Sequence, residues 1–276
     1  MHNASGSIGA AIARRWHRNA RVTPRSVPIP PYEMRLKVSP NTDDGYYDND
    51  AGDYIWGPLN IPPLKPFKAY RKILDFGCGC GREARRLLLQ KHQPSEYVGI
   101  DVHAGMISWC QQNLQTERFR FYHLDAWSPS YGIGNTPTNR VQSITHVGSD
   151  FSIIEANSVF THLLADQSEY YLDQMRSMLA PRGIIRGTWF FVNKRLFPPM
   201  GDNFNTLFVN EHDPTYAVYY DWEYFRAMIK RLGYRLIKID WSSQTGFHNM
   251  VYLAQCKDFA DFIDSASPPG TAVIGF

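Results

Sequence analysis

Cysteine is scarce in this chain, and its distribution excludes two architectures. The 276 residues hold four cysteines, Cys78, Cys80, Cys110 and Cys256. They form no C-x-x-C pair and no spaced framework, so neither a structural zinc site nor a disulfide scaffold is expected. A reducing, cytoplasmic setting is the simpler expectation. Long apolar runs are missing as well: no stretch approaches the roughly 18 apolar residues of a spanning helix, and no apolar leader with a cleavage site stands near the start. Charge of one sign is also lacking. The formal net charge is +3, too small to mark the whole chain as a nucleic-acid binder. The imbalance is local, with Arg14, Arg15, Arg18, Arg21, Arg25, Arg35 and Lys37 in residues 1–40 against Glu33 alone.

A glycine is missing from the most informative stretch. Residues 73–87 read ILDFGCGCGREARRL. The apolar run 72–76 suits a buried parallel strand. Gly77, Gly79 and Gly81 follow, and a helix-forming run over 82–91 begins at once. Strand, glycine turn and helix N-terminus make a nucleotide-sized pocket at the carboxyl end of a sheet. The spacing is D-x-G-x-G-x-G, however, and Arg82 stands where the dinucleotide fingerprint G-x-G-x-x-G needs its third glycine. The carboxylate of Asp75, two residues before the first glycine, can accept from an ammonium group or a loop amide, which a pyrophosphate site does not need.

The remaining chain repeats the strand–helix rhythm. Strands are predicted over 96–101, 118–124, 150–155 and 184–192, and helices over 102–114, 167–179 and 221–232, the last with Asp221 as N-cap and Gly233 as stop. Two further strands, 234–241 and 245–256, are joined by a link too short for a parallel crossover and so pair antiparallel. Five βα-type units and a closing hairpin specify a doubly wound α/β sheet. Residues 193–220 break the rhythm with prolines and aromatics and read as a lid insertion. Residues 1–60 read as an N-terminal extension or cap, 61–257 as the domain, and 258–276 as a tail. Within the extension, 7–21 has helical spacing of Ile8, Ala11, Ile12 and Trp16, and Pro30-Pro31-Tyr32 reads as linker.

The glycine stretch resembles motif I of class I S-adenosylmethionine (SAM) dependent methyltransferases. That resemblance covers roughly residues 70–256 and implies a seven-stranded, mostly parallel sheet in the order 3-2-1-4-5-7-6. It implies SAM as cofactor, held by Asp75, Gly77, Gly79 and Gly81. Asp101, ending the second strand, would accept the ribose hydroxyls. Met106 would touch the adenine, Asp125 would accept from its amino group, and the backbone of Ala126 would bond its ring. The segment ANSVFTHLL (156–164) resembles the turn that passes the methionine end of SAM in small-molecule and sugar methyltransferases, which adds Ala156 and Asn157 to the cofactor side. The sequence Ala180-Pro181-Arg182-Gly183 before a strand is likewise frequent in the family.

The expected reaction is SN2 methyl transfer to a hydroxyl of a small molecule, sugar or glycan. Such an acceptor needs a base near neutral pH, and histidine supplies one without an extreme pKa shift. His162, His146 and His212 are the candidates in that order, while His248 reads as structural. No metal site is predicted. Nucleic acid is disfavoured as acceptor, and a homo-oligomer is compatible with the aromatic insertion. Competing readings are an N- or nucleic-acid methyltransferase, a non-catalytic SAM-binding protein, and a nicotinamide-dependent oxidoreductase. The missing third glycine and the closing hairpin argue against the last.

Overall fold

The computed structural model describes residues 27–38, 42–44, 47, 70–90, 93–128, 140–196, 205–208, 213–242, 248–255 and 257–259. The predicted helix over 7–21, His212 and most of the 258–276 tail lie outside them. The elements in chain order are α1 (Tyr32–Val38), β1 (Lys72–Phe76), α2 (Arg82–Leu88), β2 (Glu96–Asp101), α3 (Ala104–Asn113), β3 (Phe119–His123), β4 (Phe151–Ala156), α4 (Ala165–Met178), β5 (Leu179–Val192), β6 (Thr206–Phe208), β7 (Val218–Asp221), α5 (Trp222–Arg231), β8 (Arg235–Asp240) and β9 (Asn249–Ala254). Among the described residues no helix is long and apolar enough to cross a membrane.

The strands make one sheet in the order β3-β2-β1-β4-β5, all parallel. Beyond β5 the sheet forks. Residues Ile184 to Trp189 of β5 pair antiparallel with β9, which pairs antiparallel with β8. Phe190, Phe191 and Val192 pair parallel with β7, which pairs antiparallel with β6. The β9–β8 arm is the predicted closing hairpin. The β7–β6 arm corrects the expected strand count, since the sheet has nine strands and not seven. Both added strands come from residues 193–221, whose prolines and scattered aromatics hide a short strand pair in a stretch without periodicity.

The centre of the sheet is apolar on both faces because helices cover both. Leu74, Phe76, Val98, Ile100, Ile154, Ile185 and Trp189 face α4 and α5. Ile73, Tyr97, Phe121, Ile153 and Ile184 pack on the opposite side with residues of α2 and α3. Each fully buried large apolar side chain contributes about 1.5–3 kcal/mol. Asp221 caps α5, its Oδ2 accepting from the Tyr224 N–H at 3.1 Å, and Gly233 takes φ 78° at the end of that helix, as the sequence requires.

Other differences are local. β5 begins at Leu179, so residues 180–183 lie inside the strand instead of forming a turn before it. The pairing jumps from Phe151–Leu179 to Ile153–Ile184, and the extra residues are taken up as an irregularity in β5. Gly183 permits the close approach, because a Cβ there would stand 2.5 Å from the Phe151 carbonyl oxygen. Pro30-Pro31-Tyr32 is not a plain linker. It leads into α1, whose Met34 and Arg35 amides donate to the Pro31 carbonyl at 3.0 and 3.1 Å.

Candidate active site

The carboxyl ends of β1, β2 and β3 converge on one cleft, closed on its other side by the chain that follows β4. Gly77, Asp101, Ala126, Ser158, Val159 and His162 are among the residues lining it. Of the glycine turn, Gly77 lines it, while Gly79 and Gly81 do not. The N–H groups of Gly77 and Cys78 donate to the Ile100 carbonyl at 2.8 and 3.0 Å, which folds the turn over the end of β2. Gly77, Gly79 and Gly81 have φ of 83°, 54° and 76°, a region glycine enters without a Cβ penalty. A Cβ on Gly77 would lie 2.3 Å from Cγ2 of Val159, so the turn also touches the far wall of the cleft.

Asp101 ties the turn to β2 and α3. Its Oδ2 accepts from the Gly79 N–H at 2.8 Å, and its Oδ1 accepts from the His103 N–H at 2.8 Å. Burial pushes its carboxyl up, and those two amide bonds offset part of the rise. A carboxylate offers about four lone-pair sites, so Asp101 keeps acceptor capacity towards the cleft.

The other cofactor candidates lie at different depths. Asp75 is buried and does not line the cleft; its Oδ2 accepts from the Tyr97 hydroxyl, and burial pushes its carboxyl up to about 7. Met106 is buried with Cys80 and Tyr47 beneath α1. Asp125 stands between the cleft residues Leu124 and Ala126, its N–H held by Oε1 of Gln142 at 3.0 Å. The Ala126 N–H donates to the Leu124 carbonyl at 2.8 Å. Ala156 is buried at the end of β4 and Asn157 begins the turn after it. Of the histidine candidates, His162 lines the cleft, with Nδ1 3.0 Å from the Thr215 carbonyl oxygen. His146 is exposed, edge-on to Tyr122 at 6.4 Å, and does not line that cleft. His212 lies outside the described residues.

Three contributors escaped the sequence reading. Ser158 follows Asn157 and lines the cleft at φ 59°. Thr215 supplies the carbonyl under His162. His248, read as structural, stands 2.9 Å from Ser158 Oγ through its Nε2. The β5–β9 register would have placed His248 opposite Phe190, but register is not readable from a short strand alone.

Residues 74–185 match the family model described as "Methyltransferase domain". The match begins inside β1 and ends inside β5, so it spans the glycine turn, Asp101 and the post-β4 turn. Residues 74–185 thus match a methyltransferase domain, and the sheet that holds them has the strand order of the class I methyltransferase fold. Solved structures similar to it include a TehB-like SAM-dependent methyltransferase from Corynebacterium glutamicum, with 19% identity over 68% of this chain and 86% of that one at a TM-score of 0.42. Another is a SAM-dependent methyltransferase from Leishmania major, with 13% identity over 74% and 72% at 0.47. A third is the Burkholderia thailandensis 1,6-didemethyltoxoflavin-N1-methyltransferase, with 16% identity over 82% and 90% at 0.44.

The donor set of the cleft is compatible with SAM, the cofactor that the resemblance of the glycine stretch implies. Asp101, a carboxylate with spare acceptor capacity, lines the cleft, where it could accept from ligand hydroxyls. The glycine turn offers backbone without side chains, and Ile100, Val102 and Leu124 give the cleft an apolar wall. No cluster of metal-ligating side chains occurs among the described residues.

Below the cleft, charged groups form a row across the sheet. Asp75 is in register with Glu155, and Glu155 with Arg186. The Arg186 Nε donates to Glu155 Oε2 at 2.7 Å, and both side chains are buried. Burial pushes the Glu155 carboxyl up to about 8, with Arg186 opposing the rise.

Proposed function

We propose that this protein is an O-methyltransferase acting on a hydroxyl of a small molecule, with His162 as general base. The single observation that carries the reading is the His162–Thr215 contact at 3.0 Å beside the cleft. A carbonyl oxygen only accepts, so Nδ1 carries a proton, and in the uncharged ring Nε2 is the nitrogen that keeps its lone pair. A neutral imidazole with a free nitrogen is the form a general base needs.

Bound SAM supplies a methyl group already activated by its sulfonium leaving group. The chain therefore has to hold donor and acceptor in line and exclude water. On this reading Gly77, Gly79, Gly81, Asp101 and Ala126 hold the cofactor, with Asp125 and the Ala156–Asn157 turn beside it. Asp75 and Met106 support the site from beneath, Asp75 through Tyr97. His162 takes the acceptor hydroxyl proton on Nε2. The acceptor enters past the post-β4 turn and the β6–β7 arm, and a glycan or free sugar remains within the class. The reading places the reaction in the cytoplasm.

The test is incubation of the purified protein with methyl-labelled SAM and fractionated small metabolites, followed by identification of the labelled product. A methyl ether supports the reading. Label on nitrogen, or label only on nucleic acid with steep loss at higher salt, overturns it. Binding of SAM with no labelled product in any fraction would favour a non-catalytic role.

A further inference from the structure

Beyond the cofactor cleft the fork in β5 carries a row of three rings. Phe190 stacks on Tyr219 of β7, with centroids 4.8 Å apart and planes at 22°. On its other side it stacks on His248, at 4.9 Å and 22°. The row exists because β5 has two partners along one edge: Phe190 is in register with Tyr219, and the β5–β9 register places His248 opposite it, one step past Trp189 and Asn249. Phe190 and Tyr219 are part-exposed, and His248 is exposed. A large apolar residue such as phenylalanine in such a row is not needed by the core, which Trp189 and Phe191 serve on the opposite face of the same strand.

The row is joined to the cleft by one residue. Ser158 lines the cleft, and its Oγ is 2.9 Å from His248 Nε2. Its N–H donates to Thr188 Oγ1 at 2.7 Å. Ser158 has φ 59°, a left-handed conformation that costs a non-glycine residue about 1–2 kcal/mol. The bonds to Thr188 and His248 hold that conformation and fix the hydroxyl on the wall it shares with His162. Partial desolvation lowers the His248 imidazole below its ordinary range.

Resting on the O-methyltransferase reading, we propose that the acceptor is a planar phenol, seated on the Tyr219–Phe190–His248 row, with its oxygen held by the Ser158 hydroxyl beside His162. Rings stacked across neighbouring strands turn their edges, not their faces, away from the sheet. Ring edges are electropositive and ring faces electronegative. A flat aromatic molecule laid on the row meets positive edges with its negative face. A saturated sugar ring presents positive C–H groups to the same edges and gains no such attraction; it would need an open aromatic face. His248 is a positioning residue that acts through Ser158, and Tyr219 and Phe190 set specificity.

The test uses the full chain saturated with S-adenosylhomocysteine (SAH), titrated with naphthol and separately with methyl glucoside. Naphthol should bind and methyl glucoside should not. Tyr219→Ala and His248→Ala should each weaken naphthol by about fivefold, as loss of one edge-to-face contact implies, while SAH binds within about twofold of the parent. Tyr219→Phe, which keeps the ring, should bind naphthol as the parent does. With labelled SAM and naphthol, His248→Ala should raise KM and spare kcat, whereas His162→Gln should lower kcat. Preference for methyl glucoside, or parental naphthol affinity in both alanine variants, overturns the proposal. So does a loss in Tyr219→Phe equal to that in Tyr219→Ala. Normal SAH binding without naphthol binding defeats this inference alone, whereas absence of SAH binding defeats the methyltransferase reading beneath it.

Discussion

His162 is held by Thr215 across 53 positions of sequence, Nδ1 to carbonyl oxygen at 3.0 Å. The contact joins the turn after β4 to the segment that leads into β7. It fixes the ring orientation and which nitrogen donates, and no carboxylate bonds the ring among the described residues. His162→Gln keeps a polar group of similar reach but has no basic nitrogen. We expect kcat to fall by about 10²–10⁴-fold, the usual span for loss of a general base, with SAH affinity unchanged. Calorimetric titration with SAH and turnover with labelled SAM separate the two effects. Full turnover in His162→Gln would remove the residue from that role.

The second prediction concerns Gly77. Its φ of 83° strains any residue with a Cβ, and a Cβ would sit 2.3 Å from Val159 Cγ2. Gly77→Ala should therefore abolish SAH binding and lower the melting temperature. Shortening the neighbour separates the two causes. Gly77→Ala combined with Val159→Ala removes the collision and leaves only the dihedral cost, about 1–2 kcal/mol. Differential scanning calorimetry should show the double variant more stable than the single one, and still less stable than Val159→Ala alone.

How far the sequence carries is visible at these positions. The glycines, Asp101, the α5 cap and the closing hairpin are local signals: a left-handed turn, a strand-end carboxylate, an N-cap and a short link are each specified by residues adjacent in the chain. The β6–β7 arm was not legible, because strands of three and four residues carry too little alternation to stand out. Ser158, Thr215 and His248 were not legible for a different reason. Their roles arise from contacts across 30 to 90 positions, and only the fork in β5 brings them together. Asp75 is a different case. Its motif position was read as facing a ligand, and the described structure gives its carboxyl to Tyr97 instead.

That burial of Asp75 gives a third prediction. Its pKa is raised from 3.8 to about 7, first of all by desolvation. The folded state therefore binds a proton more tightly than the unfolded state between those values. Stability contributed by this group is full below the unfolded pKa and is lost as pH rises towards 7. Glu155, raised to about 8 by burial, acts in the same direction. Asp75→Asn stays neutral and can still accept from Tyr97, so it should flatten the decline. Melting temperatures at pH 5 and pH 8 should differ less in the variant, with the gain appearing at pH 8. An unchanged pH profile would place the titration elsewhere.

The last prediction tests the buried pair under the cleft. Arg186 and Glu155 are 4% and 3% exposed, and they meet at 2.7 Å across β4 and β5. Removing one member of such a pair strands the other charge in a low-dielectric interior, which costs about 3–5 kcal/mol. Arg186→Met should show that loss in urea unfolding above about pH 8, the range in which Glu155 ionises. Glu155→Gln with Arg186→Met removes both charges and should recover a large part of it, because replacing both partners is far less costly than breaking the pair. The recovery matters for function as well as folding. Glu155 is in register with Asp75, directly behind the glycine turn, so in that pH range an unpaired charge there would repel Asp75. The single variant should therefore lose SAH affinity along with stability, and the double variant should regain both together. If stability returned while SAH affinity did not, the pair would have a role in cofactor binding separate from its charge balance.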